Sequence, residues 1–189
     1  MEKRNKILAI SGSTKRPSSN ESILKFIAGS FQDQLEVEIY PGIEQLPHFN
    51  PDVDREDPPV VVQDFRRQIE AADGVIICTP EYVFSLPGSL KNAIEWTVST
   101  TLFSNKPVAI IVAAASGEKA FESLDLIMTT IEARIAEGAR LLIRGVKGKV
   151  QPEGVIHDPT TARSIRAVVE SLLHSIAEEH SVPTKYQSQ

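Results

Sequence analysis

Gly74-Val75-Ile76-Ile77-Cys78 is apolar on both faces. A strand of this composition is buried on each side, and its sheet must be covered on each side. The same kind of run recurs in both directions from it. Lys6-Ile7-Leu8-Ala9-Ile10 lies upstream, and Pro107-Val108-Ala109-Ile110-Ile111-Val112 and Arg140-Leu141-Leu142-Ile143 lie downstream. Leu35-Glu36-Val37-Glu38-Ile39 alternates with period two, as a half-exposed edge strand does. Helical spacing fills the intervals: Ile23, Phe26, Ile27 and Phe31; Val62, Phe65 and Ile69; Leu90, Ala93, Ile94 and Val98; Leu124, Met128, Ile131 and Ile135. In the last helix Asp158 is the cap, Pro159 suits the first turn, and Ile165, Val168, Val169, Leu172 and Ile176 share a face. Residues 41–59, rich in proline and acids, read as a long loop.

Strands alternating with helices predict an α/β domain, a five-stranded parallel sheet with helices on both faces and right-handed crossovers. Analogy with doubly wound sheets sets the order at 2-1-3-4-5. No linker divides the 189 residues, so the chain reads as a single domain, 1–189, with its core at about 5–180. A net charge of −5 gives no basic face for a nucleic acid. The lone Cys78 excludes an intrachain disulfide and thiolate metal sites, and it reads as a small core residue. His48, His157, His174 and His180 lack metal-ligand spacing, with the last two decorating the final helix. Trp96 and Phe103 read as core or subunit contacts, and Arg66, Arg67, Arg163 and Arg166 as solvated. The apolar run before Ser11 is too short for a signal core or a membrane span, so the expected location is cytoplasmic.

Between the first strand and its helix stands Ser11-Gly12-Ser13-Thr14-Lys15-Arg16-Pro17-Ser18-Ser19-Asn20. Five hydroxyls, an amide and two cations in ten residues suit an anion at a helix start, where backbone N–H groups point outward unpaired. Neither GxxxxGK[ST] nor GxGxxG is present, which leaves a monophosphate as the natural guest. The same residues also serve a helix that is merely capped, and composition does not choose between the two.

After the central strand comes Thr79-Pro80-Glu81-Tyr82-Val83-Phe84-Ser85-Leu86-Pro87-Gly88-Ser89-Leu90-Lys91-Asn92-Ala93. Two prolines and a glycine stiffen a loop that presents Tyr82 and Phe84 at the carboxyl edge of the sheet, a wall suited to a planar heterocycle. Aromatic residues covering the core fit the same composition. With both loops in view, the chain resembles the NADPH-dependent FMN reductase family. Gly12-Ser13 through Asn20, the Pro-Glu-Tyr turn, Pro87 through Ala93 and Leu46-Pro47 carry the resemblance.

The resemblance implies a flavodoxin-like three-layer sandwich that binds FMN and takes electrons from NADPH or NADH. By position, Ser13, Lys15, Ser18, Ser19 and Asn20 would meet the phosphate. Pro80, Glu81, Tyr82 and Val83 would lie along the flavin, joined by Ser116 and Gly117 of the third loop. It further implies a small-molecule acceptor (a quinone, a flavin, a metal or an azo compound) and a homodimer or homotetramer, with neither nucleic acid nor membrane as partner. No residue is assigned a catalytic or metal-binding role, because the cofactor carries the chemistry.

Lys15 stands where the family commonly has arginine, keeping the charge but not the bidentate geometry, and two larger departures from the family pattern follow. Val83 stands where the family has Asn, and Ala115-Ser116-Gly117-Glu118-Lys119-Ala120-Phe121 lacks the family's spaced glycines. They leave open a flavin-binding electron carrier or sensor, and Glu81 leaves open a nucleotide hydrolase.

Overall fold

Side chains on a strand alternate between the two faces of the sheet, so the apolar runs need one helical layer on each side. The computed structural model describes residues 4–181, without the side chains of 179–181. Residues 1–3 and 182–189, and the side chain of His180, lie outside this description. The runs form β1 (Asn5–Ser11), β2 (Leu35–Ile39), β3 (Gly74–Thr79), β4 (Val108–Ala114) and β5 (Arg140–Arg144). Every pairing among them is parallel, in the order β2-β1-β3-β4-β5. The helices are α1 (Ser19–Ser30), α2 (Pro51–Glu56), α3 (Val60–Ala71), α4 (Gly88–Glu95), α5 (Glu118–Thr130) and α6 (Pro159–Ser181).

The central strand shows how the layers form. Val75 and Ile77 of β3 face Phe65 and Ile69 of α3, Leu90 of α4 and Leu124 of α5. Ile76 and Cys78 face Ile23 and Ile27 of α1 and Val169 and Leu172 of α6. All six residues of β3 are buried. The chain passes from β1 outward to β2 and then back across to β3. Loops after β1 and β3 therefore leave in different directions, and a crevice opens between them at the carboxyl edge. Ser11 stands opposite Cys78 in the register at this point. At the far end, Thr161 donates to Asp158 from its hydroxyl (2.6 Å) and its backbone N–H (2.8 Å), capping α6 and holding the carboxyl below its ordinary range.

Three expectations need correction. The α5 stripe ends early: Thr130 is the last helical residue, Ile131 is the cap and Ile135 packs from the following segment. Val98 lies beyond α4 and is exposed. Arg66 is not solvated. Its guanidinium donates to Asp54, whose side chain is buried, and to the Trp96 carbonyl, joining α2, α3 and the end of α4.

Residues 41–59 are also more ordered than a plain loop. They contain a short 3-10 turn at Ile43–Gln45 and then α2, capped by the Asn50 side chain. Asn92 of α4 ties this segment down. Its Oδ1 accepts from Phe49 N (2.8 Å), its Nδ2 donates to Pro47 O (2.9 Å), and Trp96 Nε1 donates to the same carbonyl (2.7 Å). Asn92→Ala leaves Phe49 N without its acceptor and Pro47 O with Trp96 Nε1 alone, and a stability loss of about 1–3 kcal/mol is expected in urea denaturation.

Candidate functional site

The first loop is pinned at both ends to β3. Gly12 N donates to Cys78 O at 2.8 Å, and the Cys78 thiol donates to Asn20 Oδ1 at 3.3 Å. Ser18 is the N-cap of α1, its Oγ accepting from Glu21 N at 3.1 Å. The first intrahelical bond runs from Ser22 N to Ser18 O, so Ser19 and Asn20 sit among the helix-start positions whose N–H groups face outward. Arg16 turns away from this start, donating to Pro41 O and to Glu44 at 2.9 Å.

The second loop closes as a two-residue hairpin. Tyr82 N donates to Ser85 O (3.0 Å) and Ser85 N to Tyr82 O (3.1 Å). Between them Val83 and Phe84 have φ of 52° and 55°, the pattern of a type I′ turn, which favours Asn and Gly. A β-branched residue is strained there, and Val83 is 95% exposed, so it gains no packing in return. This explains why Asn suits the position physically. Val83→Asn should raise stability by about 1 kcal/mol and the melting point by about 2–4 °C, as read by calorimetry.

Glu81 joins the second loop to the third. Its Oε1 accepts from Gly117 N (3.2 Å), and its Oε2 accepts from Lys119 N (2.9 Å) and Ala120 N (3.1 Å). A carboxylate at the start of α5 satisfies the free amides and complements the helix dipole. Gly117 itself brings no side-chain cap, and its φ of 102° favours glycine. Two further contacts carry the strap on to β5. Gly145 N donates to Ala115 O (3.1 Å), and Arg144 Nε donates to Glu118 (2.5 Å), holding that carboxyl below its ordinary value.

These loops enclose a cleft of ≈ 530 Å³ at the switch point of the sheet. One wall is Ser13, Lys15, Pro17, Ser18, Ser19 and Asn20; the opposite one is Pro80, Glu81 and Tyr82; the floor is Ala113, Ala114 and Ala115, closed by Gly145, Val146 and Lys147. The structure thus brings together Ser13, Lys15, Ser18, Ser19, Asn20, Pro80, Glu81 and Tyr82. Val83, Ser116 and Gly117 do not line the cleft: Val83 projects from the hairpin tip, and Gly117 is buried under α5.

The alanine floor and Lys147 were missed. A run of alanines carries no chemical signature, but Gly145-Val146-Lys147-Gly148 directly follows the last strand, at the edge where ligands of such sheets bind. Among the described residues the cleft presents two cations, Lys15 and Lys147. Its one carboxylate, Glu81, is engaged by backbone amides.

The sequence model of the NADPH-dependent FMN reductase family matches residues 5–145, which take in the first three loops of this cleft and stop at Gly145, at the start of the fourth. The chain belongs to that family. Among its relatives, a quinone reductase of Escherichia coli (strain K12) is 29% identical over 159 residues, 81% of this chain and 85% of that protein. An NAD(P)H-dependent FMN reductase of Pseudomonas aeruginosa is 40% identical over 112 residues, 58% of this chain and 60% of that protein. Among solved structures, FerB, a flavoenzyme NAD(P)H:(acceptor) oxidoreductase from Paracoccus denitrificans, shares the fold. Its TM-score is 0.81 at 24% identity, covering 92% of this chain and 98% of that one.

The residues present fit the family's cofactor. The volume lies within the range of about 300–1,000 Å³ typical of small-molecule sites. A helix start, hydroxyls and a lysine gather at one end for a phosphate, and proline, tyrosine and alanine surfaces at the other suit a planar ring.

Proposed function

We propose that this chain is an FMN-dependent NAD(P)H oxidoreductase that reduces small acceptors, and that the cleft between the first three loops is where it holds FMN. The observation that carries this reading is the asymmetry of the cleft, donor-rich at the start of α1 and apolar along Pro80, Tyr82 and Ala113–Ala115. Ser13, Lys15, Ser19 and Asn20 would meet the phosphate together with the outward amides of α1, while Ser18 acts through its cap. Bound FMN supplies hydride acceptance from a reduced nicotinamide and onward delivery to a quinone, a flavin, a metal or an azo compound.

The chain's own part is binding and orientation. Lys15 and Lys147 offset the negative charge of the phosphate and of anionic substrates. Tyr82, 47% exposed, borders the ring end and leaves its mouth accessible to a second ring. Glu81 holds the second and third loops together. With both of its oxygens occupied by amides, it is a poor candidate for the carboxylate of a hydrolase.

The further assignments rest on separate observations. Two apolar layers share one sheet, which supports a single domain. Val83 and Phe84, exposed beside the cleft, support a homodimer or homotetramer. A single buried thiol and a mild negative charge support a cytoplasmic location. No helix among the described residues is long and apolar enough to cross a membrane.

The test uses purified chain with FMN, NADPH and a quinone. A flavin absorption band retained after desalting, a higher melting point with micromolar FMN, and quinone-dependent NADPH oxidation are expected. A melting point indifferent to FMN together with unconsumed NADPH overturns the proposal.

A further inference from the structure

We propose that the Cys78 thiol is a positioning residue that sets which end of the Asn20 amide faces the cleft, and so makes the site select a phosphorylated flavin over an unphosphorylated one. The inference rests on the seating of the phosphate in the first loop proposed above.

Asn20 is 4% exposed yet lines the cleft, at the second position of α1. Its side chain has one acceptor oxygen and one NH₂ donor. The thiol of Cys78, fully buried at the end of β3, donates to the oxygen at 3.3 Å. With the oxygen tied back to β3, the NH₂ group is the end left for the cleft. An anion at the helix start then meets a donor; the flipped amide would present a carbonyl oxygen and repel it. Burial also pushes the thiol up in pKa, so that it keeps the proton it donates at neutral pH. The neighbouring backbone reinforces the arrangement, because Cys78 O accepts from Gly12 N. A single residue of β3 thus holds the first and last parts of the phosphate loop.

The experiment measures FMN and riboflavin affinities of the apoprotein by fluorescence quenching, for the native chain, Cys78→Ala and Cys78→Ser. The native chain is expected to prefer FMN. Cys78→Ala should weaken FMN by about threefold to tenfold, the range of one net hydrogen bond, and leave riboflavin unchanged. Cys78→Ser, which retains a donor, should restore most of the preference. An unchanged FMN-to-riboflavin ratio in Cys78→Ala, or equal losses in both variants, overturns the role of Cys78. A native chain that binds both flavins equally overturns the phosphate seat itself, and this inference with it.

A second measurement needs no variant. The chain has one thiol, so its S–H stretching band in the Raman spectrum reports Cys78 alone. A band lowered from the free-thiol frequency is expected, and one at the free-thiol frequency overturns the proposal.

Discussion

Gly12→Ala is expected to weaken FMN binding by about a hundredfold or more, equivalent to about 2.7 kcal/mol. A Cβ on Gly12 would stand 2.1 Å from Thr79 Oγ1, 2.6 Å from Thr79 Cβ and 3.0 Å from Leu90 Cδ2. None of these atoms has room to retreat. Thr79 is fully buried with its hydroxyl on Pro80 O, and Leu90 belongs to the core beneath α4. The loop must lift instead, which loosens Gly12 N from Cys78 O and moves Ser13 and Lys15 off the cleft wall. Overpacking of this kind costs about 1–3 kcal/mol of folding stability, so the urea midpoint should fall as well. Fluorescence titration with FMN is the deciding measurement. An alanine variant within threefold of the native affinity would show that this loop does not seat the phosphate.

Glu81→Ala should produce the second-largest effect, acting on the opposite wall. It strips the cap from α5 and leaves the amides of Gly117, Lys119 and Ala120 without their carboxylate. A lost cap of this strength is worth about 2 kcal/mol, a fall in melting point of about 4–8 °C for a chain of this size. Flavin affinity should drop with it, because the aromatic loop loses its tie to the third loop. Glu81→Gln keeps oxygen at one position only and should fall between the two. The pattern separates a strap from a reacting carboxylate. A strap variant saturated with FMN retains its turnover, whereas a chemical role predicts lost turnover at unchanged stability.

The layers were legible in the sequence because strand and helix periods are local properties. Val75 through Cys78, read as apolar on both faces, are buried on both. The strand order came from analogy and agrees with the structure. At the site, hydroxyls clustered after β1 mark a helix start on composition alone, and Asn20 at that start lines the cleft.

What escaped the sequence depends on partners distant along the chain. Glu81 meets amides 36 to 39 residues away, and Arg66 meets Asp54 and Trp96 across three elements. No periodicity announces either. The Val83-Phe84 hairpin was hidden for a different reason: its backbone is that of an Asn-Gly turn, but its residues carry no turn signal. Val83, one of the positions that depart from the family pattern, therefore carries conformational strain.

Cys78 has one more property of practical use. Sealed at the heart of the molecule, it can react with a chromogenic disulfide reagent only while β3 and α1 are parted. The pace of that colour change therefore clocks how often the native state comes undone. Adding FMN should slow the clock in proportion to its occupancy, which gives a label-free gauge of binding in a protein that has no other sulfhydryl.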